Sequence, residues 1–239
     1  MSILVDTTFR SDKTELMDDF SLHGALLRDT LDKLETINRT LGGNAVTIGG
    51  LKKLIQHQPK DRTITIIDLG CGHGNILRDI ALFGRKQGFT FQLIGIDANQ
   101  EAISYANELS SEFPEITLKT MDIFSPEFQK LEYHVVLCTL FAHHLKDDKL
   151  THLLKNLLLK AKIGIVVNDL HRHKLAYYLF KLIGLFVKNK MVCKDGLTSI
   201  LRAFKRKDLE KISKEIHAKA TIQWKWAFRY QWILQKPCV

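Results

Sequence analysis

Residues 66–75 read Ile66-Ile67-Asp68-Leu69-Gly70-Cys71-Gly72-His73-Gly74-Asn75, and this stretch decides the fold. An apolar β-type run ends in an acid, and glycines follow at positions 70, 72 and 74. Glycine accepts positive φ, so such a run turns a strand tightly into a helix and brings backbone N–H groups close to a ligand. The pattern is Gly-x-Gly-x-Gly. The dinucleotide fingerprint Gly-x-Gly-x-x-Gly wants a small residue at Asn75, and a pyrophosphate would not favour Asp68 beside it. An acid just before the glycines suits a cationic ligand; a tight turn with no ligand is the other reading.

Outward from this turn, short apolar runs alternate with helical stretches. Strands are expected at 63–69, 91–97, 116–121, 134–139 and 164–169, with helices at 75–87, 99–111 and 147–159. That alternation predicts βαβ units and a mostly parallel sheet with helices on both faces. Helices at 171–187 and 198–216 follow. Strands at 221–227 and 230–235 then have almost nothing between them, which forces an antiparallel hairpin. Upstream, apolar residues from Leu22 to Leu41 keep a helical period, Gly42-Gly43 read as a stop, and a shorter helix spans 48–56. The expected fold is α/β and Rossmann-like: a seven-stranded, mostly parallel sheet with a C-terminal antiparallel hairpin. Residues 1–60 are expected to form a helical N-terminal lid or extension, and 61–239 the sheet domain.

The composition agrees with a globular chain. In 239 residues, 45% are hydrophobic, enough for a sizeable core, and 14 Gly with 4 Pro exclude a collagenous or low-complexity chain. Residues Met1 to Asp19 alternate apolar and charged types and lack the pattern of a secretory signal. Cys71, Cys138, Cys193 and Cys238 are far apart, with no Cys-x-x-Cys pair, which points to free thiols in a reducing compartment. The longest apolar run, 175–187, is interrupted by Lys181 and is too short to span a bilayer. A cytoplasmic, soluble protein is expected.

In open α/β sheets a ligand sits outside the carboxyl ends of the strands, so strand-end residues are the informative ones. Asp97, with Ala98 after it, ends the second strand 23 residues beyond Gly74, where a carboxylate can accept both hydroxyls of a ribose. Asp122-Ile123 follow the third strand, where an acid can accept from an exocyclic amine and Ile123 can line a base. With these residues in place, residues 63–170 resemble a class I S-adenosylmethionine-dependent methyltransferase. The resemblance implies S-adenosylmethionine as cofactor. It implies that Asp68 and the Gly70-Cys71-Gly72 backbone hold its amino-acid end, and that Asp97 and Ala98 serve the ribose. It further implies that Asp122 and Ile123 serve the adenine, with Thr139 and Leu140 beside the methionine moiety.

The acceptor is a separate question. The segment after the fourth strand, Thr139-Leu140-Phe141-Ala142-His143-His144-Leu145, has none of the prolines of exocyclic-amine nucleic-acid methyltransferases. The Pro237-Cys238 pair lies far from the position a cytosine C5 enzyme needs, and the paired glutamates of protein-arginine enzymes are missing. His144, and after it His143, are the candidate bases, since an imidazole titrates near neutrality. Asp147, Asp148 and the Asn168-Asp169 pair do not match the metal-dependent catechol pattern, so no metal is expected. More loosely, residues 9–19, 37–43, 168–172 and 228–230 are similar to bacterial small-molecule methyltransferases found with type III polyketide synthases. That resemblance implies O-methylation of a phenolic hydroxyl, with Arg10 and Met17 closing a lid. Asn168, Asp169 and Arg172 are read as contacts to a polar substrate or to that lid.

Charge sharpens the reading. The formal net charge is +9, and residues 172–219 carry it all, with thirteen Lys and Arg against four acids. This basic segment lies next to the most apolar helical run, 175–187. A hydrophobic small-molecule substrate fits such a surface, as does peripheral contact with a membrane or partner chain through 175–187, in a monomer or homodimer. Without a base-flipping motif, nucleic acid is disfavoured. The alternatives retained are an RNA methyltransferase using residues 172–219 and a non-catalytic cofactor-binding module.

Overall fold

A computed structural model describes residues 5–237; Cys238 lies outside the described residues. Strands β1 (Ile64–Leu69), β2 (Phe91–Asp97), β3 (Ile116–Thr120), β4 (Val135–Thr139), β5 (Gly164–Leu170), β6 (Lys219–Lys225) and β7 (Arg229–Gln235) form one sheet. Their order is β3-β2-β1-β4-β5-β7-β6. The first five pair in parallel, and β7 runs antiparallel to both β5 and β6. The order reverses between β1 and β4, where a crevice opens outside the carboxyl ends of the strands.

Helices α1 (Gly24–Thr40), α2 (Gly43–Ile55), α3 (Asn75–Gln87), α4 (Gln100–Leu109), α5 (Asp147–Lys160), α6 (Lys174–Gly184), α7 (Lys190–Arg202) and α8 (Arg206–Glu215) surround the sheet. Its residues alternate between two cores, as period-two strands dictate. Ile67, Leu69, Val136 and Ile165 pack against Leu153, Leu154 and Leu157 of α5 and Leu209 and Ile212 of α8. Ile64, Ile66, Val135 and Val166 face Leu51, Leu54 and Ile55 of α2 and Leu77 and Ile80 of α3. Both faces are covered, which is why the parallel strands read as continuous apolar runs. Helix α1 keeps its apolar stripe, with Leu27 and Leu31 packed on Ala102 of α4. It thereby lies over the carboxyl end of the sheet.

The structure differs from the sequence-based expectation in two places. The glycines do stop α1, which ends at Thr40 with Gly42 turning the chain at φ +71, but Gly43 is already the first residue of α2, which begins five residues before the expected 48–56. The run expected as one helix over 198–216 is divided between α7 and α8. The apolar period continues through Ala203-Phe204, but the Phe204 N–H donates to Leu170 O and the Arg172 N–H donates to Phe204 O, drawing this segment into a bridge with β5. Helix α6 presents Leu179, Phe180 and Ile183 to an internal cavity, while Leu185 and Phe186 just beyond it are exposed. Among the described residues no helix is long and apolar enough to cross a membrane.

Candidate active site

One cavity of about 970 Å3 occupies the carboxyl end of the sheet beneath α1 and α6. Its wall includes the three strand-end acids Asp68, Asp97 and Asp122, both loop histidines, and an apolar chamber with Phe180, Ile183 and Phe228 among its residues. Of the expected cofactor residues, Asp68, Gly70, Cys71, Gly72, Asp97, Ala98, Asp122, Ile123, Thr139 and Leu140 all line it.

The glycine turn is built by backbone bonds. Gly70 has φ +66, and a Cβ there would lie 2.4 Å from Phe141 Cδ2, so only glycine fits. The turn does not, however, offer these N–H groups to a ligand as its sequence suggests. Gly70 and Cys71 N–H both donate to Ile96 O, Gly74 N–H to Cys71 O, and Gly72 N–H to Asp97 Oδ2 at 2.9 Å. These donors are needed to close the turn onto β2, so the loop contributes shape and carbonyl oxygens. Asp68 is the group without a partner: it is 1% exposed and its Oδ1 has no hydrogen bond. Burial, together with the charge of Asp97, pushes its carboxyl well above the usual range. An orphaned buried carboxylate of this kind fits a cationic group. Asp97 accepts from Gly72 N–H and Asn99 N–H, one on each oxygen, and burial raises its carboxyl as well. Each of its oxygens keeps a second lone pair for a ribose hydroxyl. The residues present therefore fit a cationic nucleoside cofactor.

Beyond β4 a single 3-10 turn (Ala142–His144) presents two histidines, with ring centroids 4.2 Å apart. His143 is buried. Its Nδ1 donates to Asp169 Oδ1 (2.7 Å), its backbone N–H donates to Asp169 Oδ2 (3.0 Å), and its Nε2 faces Glu15 Oε1 at 3.5 Å. Burial disfavours the imidazolium, but Asp169 and Glu15 outweigh it and raise His143 to about 10. Burial likewise opposes ionisation of Asp169 and Glu15, and His143 outweighs it, holding both carboxyls below their usual range. His144 is differently placed. Its Nδ1 donates to Asp18 Oδ1 (2.6 Å), so in the neutral ring Nε2 keeps its lone pair. Ligand atoms of Glu15, His143 and His144 lie within 4.8 Å of one another, close enough to hold a metal ion. Glu15 is already engaged, by Ser199 Oγ at 2.7 Å and by Arg202 Nη1 at 3.6 Å, so a cation would have to displace a guanidinium.

A methyltransferase-domain family model matches residues 60–234. The chain belongs to this family, and it is a class I S-adenosylmethionine-dependent methyltransferase. No curated protein matches the chain. Solved structures share the enzyme's fold. The plantazolicin methyltransferase BpumL in complex with SAH superposes with a TM-score of 0.66 at 18% identity, over 89% of this chain and 94% of that one. The CurJ carbon methyltransferase gives 0.61 at 16% identity, over 81% of this chain and 54% of that one. Magnesium protoporphyrin IX methyltransferase from Synechocystis PCC 6803, with bound SAH, gives 0.56 at 16% identity, over 85% of this chain and 87% of that one.

The methyltransferase's N-terminal segment is tied down over the cavity by residues of the basic region. Arg172 is fully buried and donates to Thr7 O, Thr8 O, Ala203 O and Asp208. Arg10 donates to Arg202 O, His143 O, Leu145 O and Asp147, and stacks over Phe204. Neither guanidinium lines the cavity, so each is a clamp on the N-terminal segment and not a substrate contact. Asn168 is also sealed off from it, donating to Gly43 O and Thr47 Oγ1 beneath α2. Met17 does reach the cavity, its backbone N–H held by Asp195 Oδ2 at 3.0 Å.

Sequence reasoning passed over Glu15, Asp18, Asp195, Ser199 and Arg202. All sit in the histidine cluster or hold it. The Asp18–His144 partners are 126 residues apart and the Arg202–Asp18 partners 184, so no local spacing marks them.

Proposed function

We propose that the enzyme methylates a hydroxyl of a hydrophobic, phenolic small molecule, with His144 as the general base. The observation that carries this reading is the single cavity in which the strand-end acids, both histidines and an apolar chamber meet. S-adenosylmethionine supplies the electrophilic methyl group when bound. Asp68 would hold its amino-acid end, Asp97 and Ala98 its ribose, Asp122 and Ile123 its adenine, with Thr139 and Leu140 beside the methionine moiety. The rest of the catalysis belongs to this chain: alignment of the acceptor, exclusion of water and removal of the hydroxyl proton. The segment from Glu15 through α1 acts as the lid. Helix α1 is pinned to the glycine turn by Glu35–His73 (2.7 Å) and to α4 by Arg28 with Glu101 and Glu108.

Of the two histidines, His144 is the better base. A group raised to about 10 carries its proton at neutral pH, so His143 is a fixed cation that neutralises Asp169 and Glu15. The Asp18–His144 hydrogen bond has the orienter-and-base form that acid–base sites use. Two of the thirteen cations of residues 172–219, Arg172 and Arg202, are buried and engaged within the chain, which weakens the RNA-binding alternative. The polyketide-type acceptor gains support from fold neighbours such as the citrinin polyketide synthase CMeT domain.

The test is turnover of labelled S-adenosylmethionine with a panel of alkylated phenols. His144→Ala should keep SAH affinity and lose roughly 10²–10⁴ in kcat. Unchanged kcat removes the base from the mechanism. Labelling of RNA and of no phenol overturns the acceptor class.

A further inference from the structure

The apolar chamber is lined by a guanidinium that makes no hydrogen bond among the described residues. Arg229 opens β7 and is 3% exposed, yet its Nε and Nη1 are buried without a hydrogen-bond partner. Its guanidinium makes no hydrogen bond to any described residue, although the side chain lines the cavity beside Phe228 and His171. Asp169 attracts it, but the Asp169 oxygens accept from His143 Nδ1, His143 N–H and Leu170 N–H. Burial accordingly pulls Arg229 down to about 10. Asn38 Oδ1, also unpartnered, sits nearby: a Cβ on Gly43 would be 1.8 Å from it and 3.0 Å from Arg229 Cζ. Even one bond to Asn38 would leave two of the three buried donors on Nε and Nη1 unmet. The other polar group at this end, His171, is neutral at pH 7. Burial, with His173, Lys205 and Arg172 nearby, holds it down to about 4, and its Nδ1 is unpartnered.

An unpaired buried guanidinium is costly, whereas a planar carboxylate matches its fork with two charge-assisted hydrogen bonds. The cavity thus holds the strand-end carboxylates where a cationic cofactor fits and, at the chamber beside Phe228, a guanidinium without a hydrogen-bond partner. We propose that Arg229 is the carboxylate-binding residue of the acceptor site, so that the acceptor is a hydrophobic acid. Its carboxylate meets Arg229, and its apolar body fills the chamber lined by Leu179, Phe180, Ile183 and Phe228. This rests on the reading above that the chamber takes the acceptor, and it adds the acceptor's charge.

The test is calorimetric binding of 4-octylbenzoate and 4-octylbenzamide to the full chain saturated with SAH. The acid should bind about ten- to a hundredfold more tightly than the amide, the range expected for charge-assisted bonds made in a buried site. Arg229→Met should abolish that preference while keeping SAH affinity, and Arg229→Lys should restore part of it. Equal binding of acid and amide to the wild type overturns the proposal, as does no binding of either or a preference that survives in Arg229→Met. If Arg229→Met fails to bind SAH, the wild-type ratio and Arg229→Lys decide. Turnover separates the two readings. Neutral phenols methylated as efficiently as phenolic acids would overturn the carboxylate site and leave O-methylation standing. An acid that binds through Arg229 with no phenol ever methylated would do the reverse.

Discussion

Asp169→Asn probes the buried centre of the site. In the wild type this carboxylate, 2% exposed, accepts from His143 Nδ1, His143 N–H and Leu170 N–H at 2.7, 3.0 and 2.7 Å. Removing one partner of a buried ion pair costs about 3–5 kcal/mol, because the remaining charge is stranded. Asparagine keeps one oxygen, enough for one of the two backbone N–H bonds, so the lower end applies, about 3 kcal/mol. For a chain of this length that is a fall in Tm of roughly 6–12 °C. The pH dependence carries a sign. His143 is raised above its unfolded value of about 6.5, so its contribution is complete below that pH and is lost as pH rises through about 10. Asp169 is lowered, so its contribution is present above its unfolded value of about 4 and is lost in acid as pH falls through its folded value. The wild-type advantage over Asp169→Asn should therefore be greatest between about pH 4 and 6.5, shrink progressively as pH rises from there to about 10, and shrink again in strong acid. Thermal melts of both proteins across pH 3–11, with SAH titrations at pH 7, measure it. A Tm difference below about 2 °C at pH 7, or one unchanged from pH 7 to 11, would show that the pair is not the stabilising element described here.

Three further outcomes are expected. Burial and the charge of Asp97 raise the Asp68 carboxyl, and a cationic ligand favours its ionised form, so S-adenosylmethionine affinity should rise with pH and binding should be linked to proton release. Calorimetry from pH 5 to 8 in buffers of different ionisation enthalpy reads both; a flat profile, or one that persists in Asp68→Asn, contradicts this. Gly70→Ala combines φ +66 with a Cβ at 2.4 Å from Phe141, and should cost roughly 1–3 kcal/mol of local strain. It should weaken SAH binding at least tenfold, and unchanged binding would mean that Phe141 simply moves aside. Arg10→Ala leaves Arg202 O, Leu145 O and Asp147 without their donor, while His143 O keeps Arg202 Nε, about 3 kcal/mol for a partly buried cluster. Limited proteolysis should then cut within residues 5–20 far faster than in the wild type. Equal cutting rates would mean that Arg172 and Asp195 suffice to hold the lid.

The fold was legible because its signals are local. Period-two apolar runs, the glycines at 70, 72 and 74, and acids at three successive strand ends lie within short windows of chain. The rules of parallel sheets then assemble them with little freedom. The misses were local too: the early start of α2 at Gly43 is hidden because Gly42 makes the turn alone, and the break between α7 and α8 comes from the His171–Phe204 bridge just past β5, which no helical pattern contains. Even within the recognised loop, the sequence could not say where its N–H groups point. That depended on Ile96 and Asp97 arriving from the neighbouring strand.

By itself, then, the sequence determined the sheet, the strand-end acids and two candidate histidines. Only the tertiary structure shows how differently those histidines are surrounded, because charge at a site is a sum over whatever packs around it. Asp169 and Glu15 make His143 a fixed cation, while Asp18 orients His144, and two of those three acids come from the far N-terminal segment. Packing also gave the arginines their different fates. Arg10, Arg172 and Arg202 find carbonyls and carboxylates and become clamps, while Arg229 lines the cavity with no hydrogen-bond partner among the described residues. Arginines with the same side chain thus take opposite roles, set by partners that no local window of sequence contains.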